Sequence, residues 1–178
     1  MALKEKFKQE IIPKLMKNLN LKNPLAVPQV KKVIINIGIG EATQNKELLE
    51  KTSIVITAII GQKPKTCPAK KAIAGFKLRE GTLIGLTVTL RGKRMYSFIE
   101  KLFKIVLPRV RDFQGVKKSS FDSSGNYTLG IKDLSVFPEA EFGKIDRPRG
   151  LEITFVTNAQ DKEKSKELLT LLGMPFEK

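Results

Sequence analysis

The chain predicts an α+β domain with a mostly antiparallel sheet. Three observations predict it. Apolar residues alternate with period two over residues 30–39, 82–90 and 151–156. They fall on helical stripes over 3–20, 46–60, 93–107 and 161–172. The two kinds of segment come in mixed order, without the βαβα repetition that a parallel, doubly wound sheet requires.

Each element has its own local reason. In residues 3–20, Leu3, Phe7, Ile11, Leu15 and Leu19 recur every fourth position and make one face of a helix, which Pro13 should bend. Asn23-Pro24 to Pro28 reads as a connector. In 30–39, Val33, Ile35, Ile37 and Ile39 line one side of a strand closed by Gly38 and Gly40. In the 46–60 helix, Leu48, Val55 and Ile59 form one stripe with Leu49, Ile56 and Ile60 beside it, and Gly61 sits where a helix stop belongs. Residues 82–90 (TLIGLTVTL) are rich in strand formers. In 93–107, Met95, Phe98, Ile99, Leu102, Phe103 and Val106 give a core-facing stripe. Lys93, Arg94, Ser97, Lys101 and Lys104 occupy its other side, and Pro108 should end this helix. Residues 112–131 are rich in Gly, Ser and aromatics and read as mostly irregular, with a strand emerging at 127–131. Residues 151–156 form a strand exposing Glu152 and Thr154. Residues 161–172 form the last helix, with acids at its start and Gly173-Met174-Pro175 as its stop. The whole reads as one domain of 178 residues: an N-terminal helix over 1–22 and a sheet-and-helix body over 23–178.

Charge sets the function class. Residues 61–118 carry 15 Lys/Arg against Glu80, Glu100 and Asp112, so +12 of the net +15 lies in that stretch. Unpaired cations at this density repel one another and destabilise a compact domain. A polyanion condensing on them relieves the repulsion and releases its own counterions. Nucleic acid is therefore the leading partner. The chain is 41% hydrophobic, enough for a core. It has no histidine, which removes the usual general base and the commonest transition-metal ligand. Its one cysteine, Cys67, excludes an internal disulfide and a cysteine zinc cluster and reads as a small loop residue. The start, MALKEKFKQE, lacks a signal-peptide apolar core, and the longest apolar run, 54–60, is broken by Thr57 and too short for a bilayer. The expectation is a soluble intracellular protein with no membrane partner, no cofactor, no metal and no catalytic residues.

The candidate motifs divide sharply. Gly38-Ile39-Gly40 follows a strand and precedes a helix, but Thr43 stands where a dinucleotide loop needs its third glycine, so it reads as a turn. Gly61-Gln-Lys-Pro-Lys-Thr lacks the second glycine of a phosphate loop, and Pro64 removes an N–H. Glu139, Glu141 and Asp146 read as solvated loop acids near Lys144, Arg147 and Arg149. By contrast Lys63, Lys65, Lys70, Lys71, Lys77 and Arg79 fall in a segment of loop and edge strand. Arg91, Lys93 and Arg94 mark a strand-to-helix junction that offers cations and free N–H groups together. Phe76 and Phe113 suit base stacking or core packing. A structural RNA-binding protein fits best, a regulatory RNA or DNA binder would use the same surface, and an enzyme fits poorly.

Several stretches in order along the chain carry a resemblance. They are NIGIGEA (36–42), GQKP (61–64), AGFKLREG (74–81), LRGKRM (90–95), LPRVRDF (107–113) and FDSSGNYTLG (121–130). The chain resembles the bacterial-type family of large-subunit ribosomal protein five, which binds 5S rRNA. The resemblance implies a five-stranded antiparallel sheet packed by helices on one face, loosely like an RNA-recognition fold. It implies a cytoplasmic, ribosomal place in the central protuberance, with 5S rRNA, 23S-type rRNA and neighbouring protuberance proteins as partners. On this expectation the rRNA-binding residues are Asn36, Gln62, Lys63, Thr66, Lys70, Arg91 and Arg94. The resemblance further implies that Gly75, Phe76, Lys77 and Arg79 reach the elbow of P-site tRNA, and that another surface bridges to small-subunit head protein number thirteen. Ser123 and Ser124 depart from a common Gly-Arg pair, removing one basic contact; Lys65 stands where an apolar residue is common, and 156–159 replace a Thr-Thr-Ala.

Overall fold

β-Branched residues at every second position make residues 30–38 a strand, and the rest of the sheet is arranged around it. The computed structural model describes residues 3–43, 46–142 and 149–177. Its strands are β1 (Val30–Gly38), β2 (Lys65–Pro68), β3 (Leu83–Leu90), β4 (Tyr127–Ile131) and β5 (Leu151–Thr157). They form one five-stranded antiparallel sheet in the order β2-β3-β1-β5-β4, so β1 is central and the α+β expectation holds. Val33, Ile35 and Ile37 are buried while Asn36 and Gly38 are exposed, the alternation of a sheet covered on one side. The one strand not given its own limits by the sequence is β2. Its four residues pair with β3 at Lys65↔Thr87, Thr66↔Leu86, Cys67↔Gly85 and Pro68↔Leu83, with a bulge between Cys67 and Pro68.

Pro108 acts differently from expectation, and both it and Pro13 follow a widened turn. The N-terminal helix runs as Leu3–Lys6, Phe7–Ile11 and Ile12–Asn18, the middle part being a widened turn in which the Ile12 N–H donates to the Phe7 carbonyl five residues back. The helix over 92–109 repeats the device: Gly92–Lys101, then a widened turn Leu102–Val106 with Leu107 N–H on the Leu102 carbonyl, then Leu107–Arg109. Pro108 therefore does not end this helix but lies in its last turn. A proline lacks an N–H and its ring crowds the carbonyl four residues earlier. Widening the turn just before it removes both conflicts without breaking the rod.

By packing, the chain forms two compact units, each built from separate stretches. The first comprises Met1–Val33, Leu90–Leu129 and Thr154–Lys178. Within it Leu3, Phe7, Ile11 and Leu15 are buried, as are Met95, Ile99, Leu102 and Val106. The Phe7 and Tyr96 rings lie 5.7 Å apart, and Leu3 N–H reaches Glu100 Oε2 at 3.4 Å. The FDSSGNY stretch proves to be a folding device. Asp122 accepts from the Ser124 and Asn126 N–H groups at 2.9 and 2.7 Å and from Asn126 Nδ2 at 2.7 Å. Asn126 Oδ1 in turn accepts the Thr157 N–H at 3.1 Å, and buried Thr157 Oγ1 donates to the Gly125 carbonyl at 3.0 Å. Tyr127 is buried, edge-on to Phe121 at 4.7 Å, with its hydroxyl on the Lys117 carbonyl at 2.8 Å.

The second unit comprises Ile34–Thr89 and Gly130–Ile153. Its helix, Lys46–Ile60, buries Leu49, Val55, Ile56, Ile59 and Ile60, and Gly61 caps it with its N–H on the Thr57 carbonyl at 2.8 Å. Gly38 ends β1 and Ile39 N–H still reaches the Ile84 carbonyl at 2.7 Å; the turn follows at Gly40–Thr43, with Ala42 N–H returning to the Ile39 carbonyl at 3.0 Å. Glu41 pairs with Arg149 at 3.3 Å. Of the acids read as solvated, Glu139 is half-buried with one carboxylate oxygen covered. Asp146 and the side chain of Glu141, with Lys144 and Arg147, lie outside the described residues.

Two outcomes follow. Gly125 has φ +78°, and a Cβ there would stand 2.7 Å from the Asp161 carbonyl oxygen. Gly125→Ala should cost about 3 kcal/mol in a urea melt, whereas Gly75→Ala, where a Cβ meets nothing within 4 Å, should leave the midpoint near wild type. The second outcome concerns pH. Hydrogen bonds from Asn126 hold the Asp122 carboxyl below its usual range, so the stability it contributes is present above about pH 4 and lost as pH falls further. Burial pushes the Tyr127 hydroxyl up to about 12, so its contribution is present below about pH 10 and lost as pH rises toward 12. Melting temperature against pH should show both limbs, the acid limb shallower in Asp122→Asn and the alkaline limb shallower in Tyr127→Phe.

Candidate nucleic-acid interface

The interface residues of the second unit are placed by strand register. Thr87 stands directly across from Lys65, and Leu86 directly across from Thr66. Paired residues point to the same side of a sheet. Leu86 is buried with Val88 on the covered side, whereas Thr87 and Thr89 are half-exposed on the other. Lys65, Thr87 and Thr89 therefore occupy the open side, with Asn36 exposed on the alternating positions of β1. Thr66 is exposed too, but on the opposite side, at the rim that edge strand β2 leaves uncovered.

The turn between the Lys46–Ile60 helix and β2 brings the next residues in. Gln62 lies against β3, its Nε2 donating to the Thr89 carbonyl at 3.4 Å. Lys63 is exposed beside it in sequence, ahead of buried Pro64. After β2, Lys70 and Lys71 are exposed at the base of the β2–β3 loop. That loop is closed by its own backbone. Ile73 and Leu78 exchange both N–H···O bonds at 2.9 and 3.1 Å, and Ala69 and Thr82 are joined at 2.8 Å. Gly75, Phe76, Lys77 and Arg79 lie on it, all four exposed and Lys77 with φ +51°. Among the described residues no ion pair engages Lys63, Lys65, Lys70, Lys71, Lys77 or Arg79.

Arg91 and Arg94 belong to the first unit. Arg91 has extended backbone at the start of the 92–109 helix and makes no capping hydrogen bond with its side chain. Lys93 and Arg94 are exposed on the first turn, while Met95 turns inward. The first N–H groups of a helix favour an anion, and cations beside them reinforce the preference. So five of the seven residues expected to bind rRNA, and all four expected at tRNA, share the second unit; Arg91 and Arg94 lie in the first.

Register adds Lys65, Thr87 and Thr89 to the open side. The sequence signal for the threonines was present in TLIGLTVTL, where Thr87 and Thr89 alternate with Leu86, Val88 and Leu90. Phe113 is half-buried and Phe76 exposed, which separates the two aromatics that the sequence left equivalent. Among the described residues no group of three or more His, Cys, Asp or Glu side chains is placed to hold a metal ion, and no helix is long and apolar enough to cross a membrane.

Comparison with known proteins agrees with this architecture. A family model described as "Ribosomal protein L5" matches residues 23–79, and a second, for the C-terminus of the same ribosomal protein family, matches residues 83–176. The chain is 53% identical over 177 residues to the large ribosomal subunit protein uL5 of Dictyoglomus thermophilum, covering 99% of each chain. It is 54% identical over 176 residues to uL5 of a Thermoanaerobacter species, covering 99% of this chain and 98% of the relative. It is 53% identical over 176 residues to uL5 of Desulforamulus reducens, covering 99% and 97%. Matches of this extent, spanning both packed units, place the chain in the ribosomal protein L5 family.

Proposed function

We propose that this protein binds 5S rRNA and attaches it in the central protuberance of the cytoplasmic ribosome's large subunit, contacts P-site tRNA, and bridges to small-subunit head protein number thirteen. Family membership makes the chain a structural constituent of the large ribosomal subunit and not an enzyme. The observation that carries the finer reading is the surface of the second unit. Cations that meet no carboxylate among the described residues stand at an edge strand and on the β2–β3 loop, next to an open sheet side bearing Asn36, Thr87 and Thr89. Lysines there neutralise phosphate, while Asn36, Gln62 and Thr66 supply hydrogen bonds to sugars and base edges. In the first unit, Arg91 and Arg94 flank an anion-favouring helix start of their own. The remaining partners, 23S-type rRNA and neighbouring protuberance proteins, would take the other cationic surfaces.

Two experiments test the reading. The free protein should bind 5S rRNA with an affinity that falls with salt. With roughly five to eight phosphates neutralised, the log–log slope should be about −4 to −7. Lys63→Ala and Arg94→Ala should each weaken binding and reduce the slope by about one, and Asn36→Ala should weaken it with the slope unchanged. Equal affinity for unrelated duplex DNA, or wild-type affinity in all three variants, would defeat the assignment. In the second experiment, Lys77→Ala combined with Arg79→Ala should leave 5S rRNA binding near normal and loosen P-site tRNA in assembled ribosomes. Loss of 5S rRNA binding with unchanged tRNA behaviour would move the loop to the rRNA surface.

A further inference from the structure

The last helix, Lys162–Leu171, completes its stop at Gly173 and Met174. Their N–H groups return to the Thr170 and Leu169 carbonyls at 3.0 and 2.9 Å, and Met174 is buried. Pro175, Phe176 and Glu177 then cross to another part of the first unit and lie alongside Val116 in a single parallel bridge. Val116 N–H donates to the Pro175 carbonyl at 2.8 Å, and Glu177 N–H donates to the Val116 carbonyl at 3.1 Å. Gly115 is the seat of this join. Its φ is +107°, and a Cβ there would stand 2.6 Å from the Glu177 nitrogen and 2.8 Å from the Phe176 carbonyl carbon. The Phe176 ring closes the join, stacked on Phe121 at 5.9 Å and edge-on to Tyr127 at 5.8 Å. Phe121 and Tyr127 are buried, whereas Pro175, Phe176 and Glu177 are each half-buried.

We propose that Pro175–Glu177 are a detachable strap, which unfastens from Val116 together with residues 110–117 while the helices and strands of the first unit stay folded. The strap is held by two backbone hydrogen bonds and one half-covered ring. Segments with so few buried contacts open well below the free energy of global unfolding. Release costs the last helix nothing, because Gly173 and Met174 have already satisfied its end. The other side of the join favours release as well. Between Val110 and Val116 the chain takes left-handed backbone at Asp112, φ +53°. A non-glycine residue keeps that geometry only where its surroundings impose it. Beyond Val116 the Tyr127 hydroxyl holds the Lys117 carbonyl at 2.8 Å, and Phe121, bridged to Tyr127, marks where the moving part stops. Arg111 and Lys117 are exposed on this segment. The strap therefore decides whether these cations are fixed in one arrangement or carried on a free tether, whichever partner they meet.

The test is amide hydrogen exchange on the full-length chain at low urea concentrations, in wild type, Phe176→Ala and Gly115→Ala. Trypsin cleavage after Lys117 is the second readout, because the held carbonyl reaches a protease only from the open state. In wild type the Val116 and Glu177 amides should share one protection factor, at least about 100-fold below that of the β5 amides and nearly independent of urea. Phe176→Ala should lower both about 10- to 30-fold and speed cleavage after Lys117 by the same factor. Gly115→Ala should lower them too with the ring intact, because a Cβ denies the strap its seat. A Val116 amide with the urea dependence of β5 would overturn the proposal, since the join would then open only with the whole domain. Unequal protection at Val116 and Glu177 would overturn it as well, because the two bonds would not break as one. So would wild-type protection at Val116 in Phe176→Ala. A Phe176→Ala chain that does not fold would place the ring in the core and end the proposal.

Discussion

The two-residue period of β1 is the constraint on which the rest of the molecule depends. This strand is central in the sheet, so its register is transmitted to β3 and β2 on one side and to β5 and β4 on the other. With Val33, Ile35 and Ile37 turned to the covered side, Asn36 faces out, and Thr87 and Lys65 follow on the neighbouring strands. A slip of one residue would bury Asn36 and expose the isoleucines. The aliphatic side thus fixes a polar side that has no packing of its own to hold it. The candidate interface is placed by a core that lies on the other side of the sheet.

The prolines illustrate how strongly tertiary packing overrides local preference. Leu3, Phe7, Ile11 and Leu15 are spaced by four, and in a regular helix each such step drifts about 40° around the axis. The widened turn at Phe7–Ile11 absorbs some of that drift while making room for Pro13. Leu102–Val106 does the same before Pro108. In both helices the buried stripe stays continuous through the widened turn.

Most of the fold could be read from the residues because its strands and helices carry clear periods. Three strands and four helical stretches were visible in that way, the strand at 127–131 emerged from an otherwise irregular stretch, and the helix stop at Gly61 could be read from one residue. The parts that could not be read have physical reasons. β2 is four residues with a lysine and a proline, too short for a period, and exists by pairing with β3. The last turn around Pro108 was invisible because proline preference speaks for ending a helix, whereas burial of Val106 and Leu107 speaks for continuing it. The division into two units could not be seen because each unit is assembled from stretches far apart in sequence. At the candidate interface, composition alone revealed the cations. It could not tell that Thr66 and Lys65, adjacent in sequence, face opposite sides. Nor could it separate exposed Phe76 from half-buried Phe113.

The contact between Leu3 and Glu100, 97 residues apart, has a consequence for the order of events during synthesis. The first helix leaves the exit tunnel with an apolar stripe of Leu3, Phe7, Ile11 and Leu15 and no surface to bury it. That surface, including Tyr96, emerges only after most of the second unit has been translated. Closing so long a loop is slow compared with forming the helix itself. For that interval the nascent chain displays an amphipathic, lysine-bearing segment in a compartment crowded with RNA. Transient shielding of that stripe, by a chaperone or by neighbouring polymer, would then govern how much newly made protein reaches the assembly line intact.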